Sequence, residues 1–151
     1  MQPAIAMTTT AQHLLANKAP GAIHSVGPDQ SAYEALQVMA AKDVGAVFVM
    51  EQDRVVGMLT ERDYARRIVL HGKISRHTPV FEAMTRDFPR VGPDATVDEC
   101  MRLINDRRFR YVAVMDGERL LGLVSIGDVV KHVIAQQQAS IEHLERYISG
   151  L

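Results

Sequence analysis

The chain has 151 residues, which suits one compact domain or two small units that share a core. Hydrophobic residues make up 47% of it, and 17 basic residues nearly balance 18 acidic ones, so no strong field would attract nucleic acid or an anionic membrane. No apolar run approaches the roughly 20 residues that span a bilayer, and the start MQPAIAMTTT does not read as a secretory signal. A cytoplasmic protein with no membrane or nucleic-acid partner is therefore expected.

The first half of the chain predicts alternating helices and strands. A short leading helix is expected over residues 9–18, and a short strand at 23–26 ends in a Gly-Pro-Asp turn. Ser31 and Glu34 form an S-x-x-E capping box, which predicts the start of the next helix. Two apolar strands follow at 46–50 and 54–59. The segment GMLTERD, residues 57–63, then leads into a second helix.

The second half repeats the first. An offset of 65 residues, from Asp63 to Asp128, aligns 23–67 with 88–132 without a gap. The segment VGPD occurs at both strand ends, and GMLTERD returns as GLVSIGD at residues 122–128. The repeat predicts a strand at 88–91, a helix with a Thr96–Glu99 capping box, strands at 112–115 and 119–124 joined through Asp116-Gly117, and a last helix from about residue 128 to 148.

The repeat predicts an α+β fold with two β-α-β-β-α units related by a pseudo-twofold. One such unit is small for independent stability, so two would share a core and leave clefts between them. The expected organisation is a leader at 1–19, the units at 20–72 and 88–135, a connecting segment at 73–87 with a turn of helix near Thr78-Pro79, and a C-terminal helical extension at 136–151.

The doubled segment has two interpretations. Thr60 with Asp63, and Ser125 with Asp128, can simply cap their helices, as the boxes at Ser31 and Thr96 do without any ligand. Alternatively, each hydroxyl and carboxylate faces a cleft, where the carboxylate accepts hydrogen bonds from both hydroxyls of a ribose. Free N–H groups at the helix start would then suit a phosphate, and the preceding glycine would allow close backbone approach.

The doubled unit with its paired motifs resembles a tandem pair of CBS domains (cystathionine-β-synthase-type modules) over about residues 20–135, and TERDYARRIVLHG resembles small stand-alone bacterial members. The resemblance implies a regulatory sensor that binds AMP, ADP, ATP, S-adenosylmethionine or NAD as ligand, with no catalytic cofactor. It implies that Asp63 and Asp128 hold ribose, with Thr60 and Ser125 beside the ribose or phosphate. It further implies that Gly45, Ala46, Val47, Tyr111 and Val112 lie around adenine. The phosphate candidates are chosen by charge and position beside the predicted clefts: Arg62, whose counterpart in the second motif is Gly127, with Arg66, Arg108 and Arg110. A solvated surface is the alternative for the RRFR run at 107–110.

No catalytic residue or metal site is predicted. The six histidines show no ligand spacing, and Cys100 lies on the apolar face of its helix, which favours a buried structural thiol. An enzyme that processes nucleotides or NAD in the same clefts and a structural dimer with degenerate clefts remain the alternatives. No effector domain is evident, so the output would pass through a partner protein or self-association.

Self-association is predicted from the last helix. Two sets of residues follow a seven-residue spacing there: Val130, Gln137 and Leu144; Ile134, Ile141 and Ile148. A homodimer through the motif helices and this C-terminal helix is expected. The alternative is that the tail folds back on its own modules, since Gln136-Gln137-Gln138 interrupts the stripe.

Overall fold

A computed structural model describes residues 9–18 and 23–150 of the chain. They form two compact units. Of the described residues, the first-repeat unit contains 23–88 and Met115–Gly122, and the second-repeat unit contains 9–18, Pro89–Val114 and 123–150. The predicted α+β class with a doubled β-α-β-β-α order is confirmed.

The elements match the predicted order closely. In chain order they are α1 (Ala11–Ala16), β1 (Ser25–Val26), α2 (Ala32–Lys42), β2 (Ala46–Glu51), β3 (Arg54–Thr60), α3 (Glu61–Asp63) continued by a π-helical segment (Tyr64–Val69), β4 (Arg90–Val91), α4 (Val97–Arg107), β5 (Tyr111–Asp116), β6 (Arg119–Ser125) and α5 (Ile126–Ser149). Two short 3-10 turns, Ser75–His77 and Val80–Glu82, lie in the connecting segment, and the second of them follows Pro79 as predicted.

The first-repeat unit is built on a three-stranded sheet in the order β1-β2-β3. β1 runs parallel to β2, with Ser25 opposite Phe48, and β3 runs antiparallel to β2, with Ala46 opposite Thr60. The β2–β3 loop has positive φ at both Gln52 (50°) and Asp53 (67°), the conformation of a type I′ hairpin turn. This hairpin brings the end of β3, and with it the first motif, beside the start of β2.

Apolar side chains of both helical and strand elements fill the core of this unit. Those of α2 face the sheet because they recur at helical spacing, and Ala32, Ala35 and Met39 are all buried. They pack with Val47, Val49 and other residues of the strands, and with Val80, Ala83 and Met84 of the connecting segment. The connecting segment is therefore part of the core rather than a free linker.

The helix after the first motif differs from the ordinary α-helix that the sequence predicted. After one α-helical turn the chain widens into the π-helical segment, in which the Leu70 N–H donates to the Ala65 carbonyl. Ile68 within it is buried in the core, whereas Val69 and Leu70 are exposed. Such segments are rare and occur often at functional sites.

The second-repeat unit joins the leader to the second copy. Its sheet has the order β4-β5-β6, with Arg90 of β4 opposite Ala113 of β5. Helix α4 is capped by Thr96, whose hydroxyl accepts the Glu99 N–H. Within the described residues, this is the only bond of the predicted Thr96–Glu99 box that forms, whereas both bonds form at Ser31.

The leader helix α1 is fixed to this unit. Ala11 and Leu14 are buried, and the Ala11 N–H donates to the Ala95 carbonyl at 2.8 Å. The Gln12 N–H donates to the Pro93 carbonyl, and the Val97 N–H donates to the Thr9 carbonyl. Backbone bonds to the VGPD turn and to the residues just after it thus hold the start of α1 in place.

Helix α5 begins inside this unit and leaves it along its length. Val129 is buried, but every residue from Ile134 to Gly150 is exposed. The predicted apolar stripe from Ile134 to Ile148 is therefore exposed along this helix.

Candidate functional site

The first motif forms a reciprocal cap where β3 passes into α3. Thr60 Oγ1 accepts the Asp63 N–H at 3.0 Å, and Asp63 Oδ2 accepts the Thr60 N–H at 3.0 Å. Both residues are buried, with 6% and 8% of their surface exposed. Thr60 is extended and Asp63 helical, so the motif marks the exact transition between strand and helix.

The other oxygen of Asp63 is bound to the connecting segment. Asp63 Oδ1 accepts a hydrogen bond from the hydroxyl of Thr85 at 3.2 Å and lies 3.9 Å from Nε of Arg67. Arg67 in turn donates to the carbonyls of Ala83 and Met84 at 3.0 and 2.9 Å. The sequence analysis did not identify Thr85 or Arg67. Arg67 could have been found, because it stands four residues after Asp63 on the same helix.

The second motif repeats the cap in the other unit. Ser125 Oγ accepts the Asp128 N–H at 3.1 Å, and Asp128 Oδ2 accepts the Ser125 N–H at 2.8 Å. The same Oδ2 lies 2.8 Å from Nζ of Lys18, at the end of the leader, and Lys18 also donates to the Leu123 carbonyl at 2.7 Å. The Asp128 side chain is 20% exposed, against 11% for Asp63. Lys18 was not predicted as a site residue, because no pattern in the sequence points to it.

The first N–H of each motif helix is used in the same way. The Glu61 N–H donates to the Gly45 carbonyl at 3.0 Å, and the Ile126 N–H donates to the Arg110 carbonyl at 2.9 Å. Since the third N–H of each helix binds the capping hydroxyl, the expectation of freely available N–H groups for a phosphate is wrong for these two positions. Gly45 and Arg110 are thereby fixed beside their motifs, each as the residue before a middle strand.

The remaining candidates divide into exposed cations and strand residues. Arg62, Arg66, Arg108 and Arg110 are exposed, as is Gly127, whereas Gly45 and Tyr111 are half-buried. Ala46, Val47 and Val112 have 3%, 1% and 0% of their surface exposed, so their side chains belong to the protein interior. Any contact of these three with a base would use the strand backbone. Within residues 23–150, β1 pairs with β2 only at Phe48 and Val49, so the described ladder does not reach Ala46 and Val47.

Gly57 is needed for packing within the chain, whereas the sequence suggested that it allows a ligand to approach the backbone closely. A Cβ at this position would lie 2.5 Å from Sδ of Met84 and 3.2 Å from the Thr85 carbonyl oxygen. The Met58 and Thr85 backbones exchange two hydrogen bonds beside it. The glycine therefore admits the chain's own connecting segment, and the expectation that it makes room for a ligand is corrected.

We expect Gly57→Ala to lower the free energy of unfolding by about 1–3 kcal/mol, because the connecting segment must move to admit the methyl group. Gly127→Ala is the matched control. Its Cβ would meet only Ser125 Oγ at an ordinary 3.5 Å, within a helix, so a gain of up to about 1 kcal/mol is expected. Urea unfolding of both variants measures the difference. Equal midpoints for Gly57→Ala and the wild-type protein would contradict this packing role.

Cys100 is a structural thiol. It is fully buried on α4, and burial, assisted by the charge of Glu99, raises the pKa of its thiol to about 11. The thiol therefore stays protonated at neutral pH and is a poor nucleophile. Among residues 9–18 and 23–150, no three His, Cys, Asp or Glu side chains are grouped to hold a metal ion.

A family model for the CBS domain matches residues 21–70 and 80–135, which together cover most of the chain. The chain belongs to the CBS-domain family. Over 127 residues it is 36% identical to the CBS domain-containing protein CBSX3, mitochondrial, of Arabidopsis thaliana, covering 81% of this chain and 62% of that protein. The chain thus spans less than two thirds of that relative's length.

Other CBS-domain proteins match more of their own length. The CBS domain-containing protein YhcV of Bacillus subtilis is 31% identical over 117 residues, which are 78% of this chain and 83% of that protein. A solved structure from Burkholderia ambifaria, whose name assigns it to signal transduction with CBS domains, superposes with a TM-score of 0.81 at 43% identity, covering 85% of this chain and 96% of the other.

This chain is therefore a tandem CBS-domain protein, and tandem CBS domains are generally regulatory ligand-binding modules. No helix in its described part is long and apolar enough to cross a membrane. The two motifs lie in corresponding places of the two matched segments, at the junction of the last strand and the last helix.

Proposed function

We propose that this CBS pair is a non-catalytic sensor that binds an adenosine-containing nucleotide, such as AMP, ATP or NAD, through its two motifs. The observation that carries the proposal is the identical cap in both units. In each unit, a hydroxyl and a carboxylate bind backbone N–H groups at the start of a helix. The first N–H of that helix donates to the carbonyl of the residue before the middle strand. Unlike the reciprocal cap at Ser31, each motif cap also places its carboxylate beside a basic side chain, Arg67 or Lys18.

Acceptor capacity at Asp63 supports ribose binding. A carboxylate oxygen has about two lone-pair sites, so the group accepts about four hydrogen bonds. Among the described residues, Oδ2 accepts one bond, from the Thr60 N–H, and Oδ1 accepts one, from Thr85. Each oxygen thus retains one site, which suits the two adjacent hydroxyls of a ribose.

Exposed cations support a phosphate-bearing ligand. Arg62 and Arg66 follow the first motif on its helix, and Arg108 and Arg110 precede the middle strand of the second unit. Guanidinium groups bind phosphate oxygens through two parallel hydrogen bonds, and the attraction between exposed charges weakens as the salt concentration rises. Phosphate recognition therefore rests on side chains, and the strand backbone at Ala46, Val47 and Tyr111 would meet the base.

Calorimetric titration with AMP and adenosine tests this function. Asp63→Asn and Asp128→Asn each weaken charge-assisted hydrogen bonds worth about 1.5–3 kcal/mol, so we expect AMP affinity at the altered motif to fall by about one to two decades. AMP should also bind more tightly than adenosine at low salt, with the difference shrinking as salt rises. Asp106→Asn, an exposed helical position, is the control. Unchanged AMP affinity in both motif variants would leave the caps with a structural role only, and product formation from ATP or NAD would instead favour an enzyme.

The same proposal includes a homodimer as the route for output. A ligand can signal only if it binds one arrangement of the protein more tightly than another. Exposed apolar residues mark both motif helices: Val69 and Leu70 in the first-repeat unit, and Val130 and Ile134 in the second. A second copy of the chain and a downstream protein are the proposed partners.

A further inference from the structure

The second motif differs from the first in what already occupies its carboxylate. Asp128 Oδ2 accepts the Ser125 N–H at 2.8 Å and meets Nζ of Lys18 at 2.8 Å. Two donors fill the lone-pair sites of one carboxylate oxygen. Within the described residues, the contacts of this carboxylate all fall on Oδ2, so only Oδ1 retains acceptor capacity.

A ribose diol that bonds to both carboxylate oxygens cannot bind this arrangement unchanged. One hydroxyl can reach Oδ1, but the other finds Oδ2 filled. The Ser125 N–H belongs to the backbone cap and cannot leave without breaking the start of α5. The Lys18 side chain also donates to the Leu123 carbonyl at 2.7 Å, but of the two donors it is the one that can leave Asp128 without breaking the cap.

We propose that Lys18 is an internal competitor for the second motif, released when a nucleoside binds Asp128. This inference rests on the proposed function, because it assumes that the carboxylate binds ribose. Among the described residues, no cation lies within hydrogen-bond distance of the first carboxylate: Nε of Arg67 stands 3.9 Å from Asp63 Oδ1, and its Nη1 donates to two backbone carbonyls. The two motifs are thereby unequal, and the first accepts its ligand without displacing a side chain.

Release of Lys18 requires movement only at the end of the leader, while helix α1 stays in place. Its start is held by backbone bonds from Ala11 and Gln12 to the VGPD turn, and Leu14 is buried. Lys18 stands two residues beyond the end of α1, with its side chain 27% exposed. Ligand binding at the second motif would therefore free the lysine while the helix stays docked, and would report occupancy to the leader.

The direct test is titration with adenosine, which lacks phosphate and so cannot gain from a nearby cation. Asp63→Asn is used as the background, because it weakens the first motif and leaves the second to be measured. Adding Lys18→Met is expected to tighten adenosine binding by about three- to tenfold, the effect of removing a partly exposed ion pair. Lys42→Met, an exposed lysine of the first-repeat unit, is the matched control and should change nothing.

Trypsin gives a second readout on the unaltered chain, because it cleaves after lysine only when the side chain enters the protease. Saturating adenosine should accelerate cleavage after Lys18 several-fold, with no change after Lys42. Unchanged or weaker adenosine binding in the Lys18→Met variant, or protection of Lys18 by adenosine, would overturn the inference while leaving nucleotide binding intact. Absence of adenosine and AMP binding in every variant would overturn the proposed function together with it.

Discussion

Replacing Asp63 with alanine is expected to lower the free energy of unfolding by about 2–4 kcal/mol. The carboxylate accepts bonds from the Thr60 N–H and the Thr85 hydroxyl, and it faces the guanidinium of Arg67. Hydrogen bonds to a charged group contribute about 1.5–3 kcal/mol, and losing a buried acceptor leaves its donors unsatisfied. The variant also removes one side-chain contact to the connecting segment, which forms part of the core of the first-repeat unit.

Asp128→Ala makes the same chemical change in the repeated cap and should cost less, about 1–2 kcal/mol. Its partners are the Ser125 N–H and Lys18, and both side chains of that ion pair are partly exposed to solvent. Asp106→Ala, at an exposed position of α4, should stay within about 0.5 kcal/mol of the wild-type protein. Urea unfolding of the three variants gives the comparison. An Asp63→Ala midpoint equal to that of Asp106→Ala would contradict the anchoring role of Asp63.

Truncating the last helix, or placing a charge on its apolar stripe, is expected to convert the proposed dimer to a monomer. Seven large apolar or aromatic side chains of α5 are exposed in the single chain: Ile126, Val130, Ile134, Ile141, Leu144, Tyr147 and Ile148. Most of them follow a seven-residue spacing, which places them on one stripe of the helix. Burying each aliphatic side chain fully would contribute up to about 1.5–3 kcal/mol, so pairing this stripe with a second copy offsets the cost of association.

Analytical ultracentrifugation tests the dimer. Ile134→Glu and deletion of residues 138–151 should each shift sedimentation at tens of micromolar from dimer to monomer, because each removes or charges the stripe. Gln138→Glu changes charge on an exposed residue outside the seven-residue sets and should leave the dimer intact. If the wild-type protein sediments as a monomer at this concentration, the prediction that this stripe mediates self-association is wrong.

The order of elements was predictable because its signals are local. Apolar spacing indicated α2 and the strands, and S-x-x-E and T-x-x-D patterns placed the helix starts at Ser31 and Thr60 within a residue of the observed caps. The duplicated motif then doubled each signal. Met101 shows the limit of such reasoning, since it shares the apolar spacing of α4 and is nevertheless 41% exposed.

The partners of the two carboxylates were not predictable, because they arrive from distant parts of the chain. Thr85 lies 22 residues beyond Asp63 in the connecting segment, and Lys18 comes from the leader, which no repeat pattern covers. Spacing within a motif carries no information on such contacts. The widening of the helix after Asp63 was not predictable either, because the apolar spacing of a sequence does not distinguish a short π-helical segment from an α-helix.

Native mass spectrometry of the chain with added AMP tests the central claim most directly, because it counts bound nucleotides and subunits in one spectrum. The account predicts AMP adducts of the wild-type protein, with the first adduct forming at lower AMP concentration than the second, and loss of both in the Asp63→Asn, Asp128→Asn double variant. The double variant must retain the wild-type circular dichroism spectrum. The claim is contradicted if AMP, ATP and NAD all leave the wild-type mass unchanged, or if the double variant carries the same adducts.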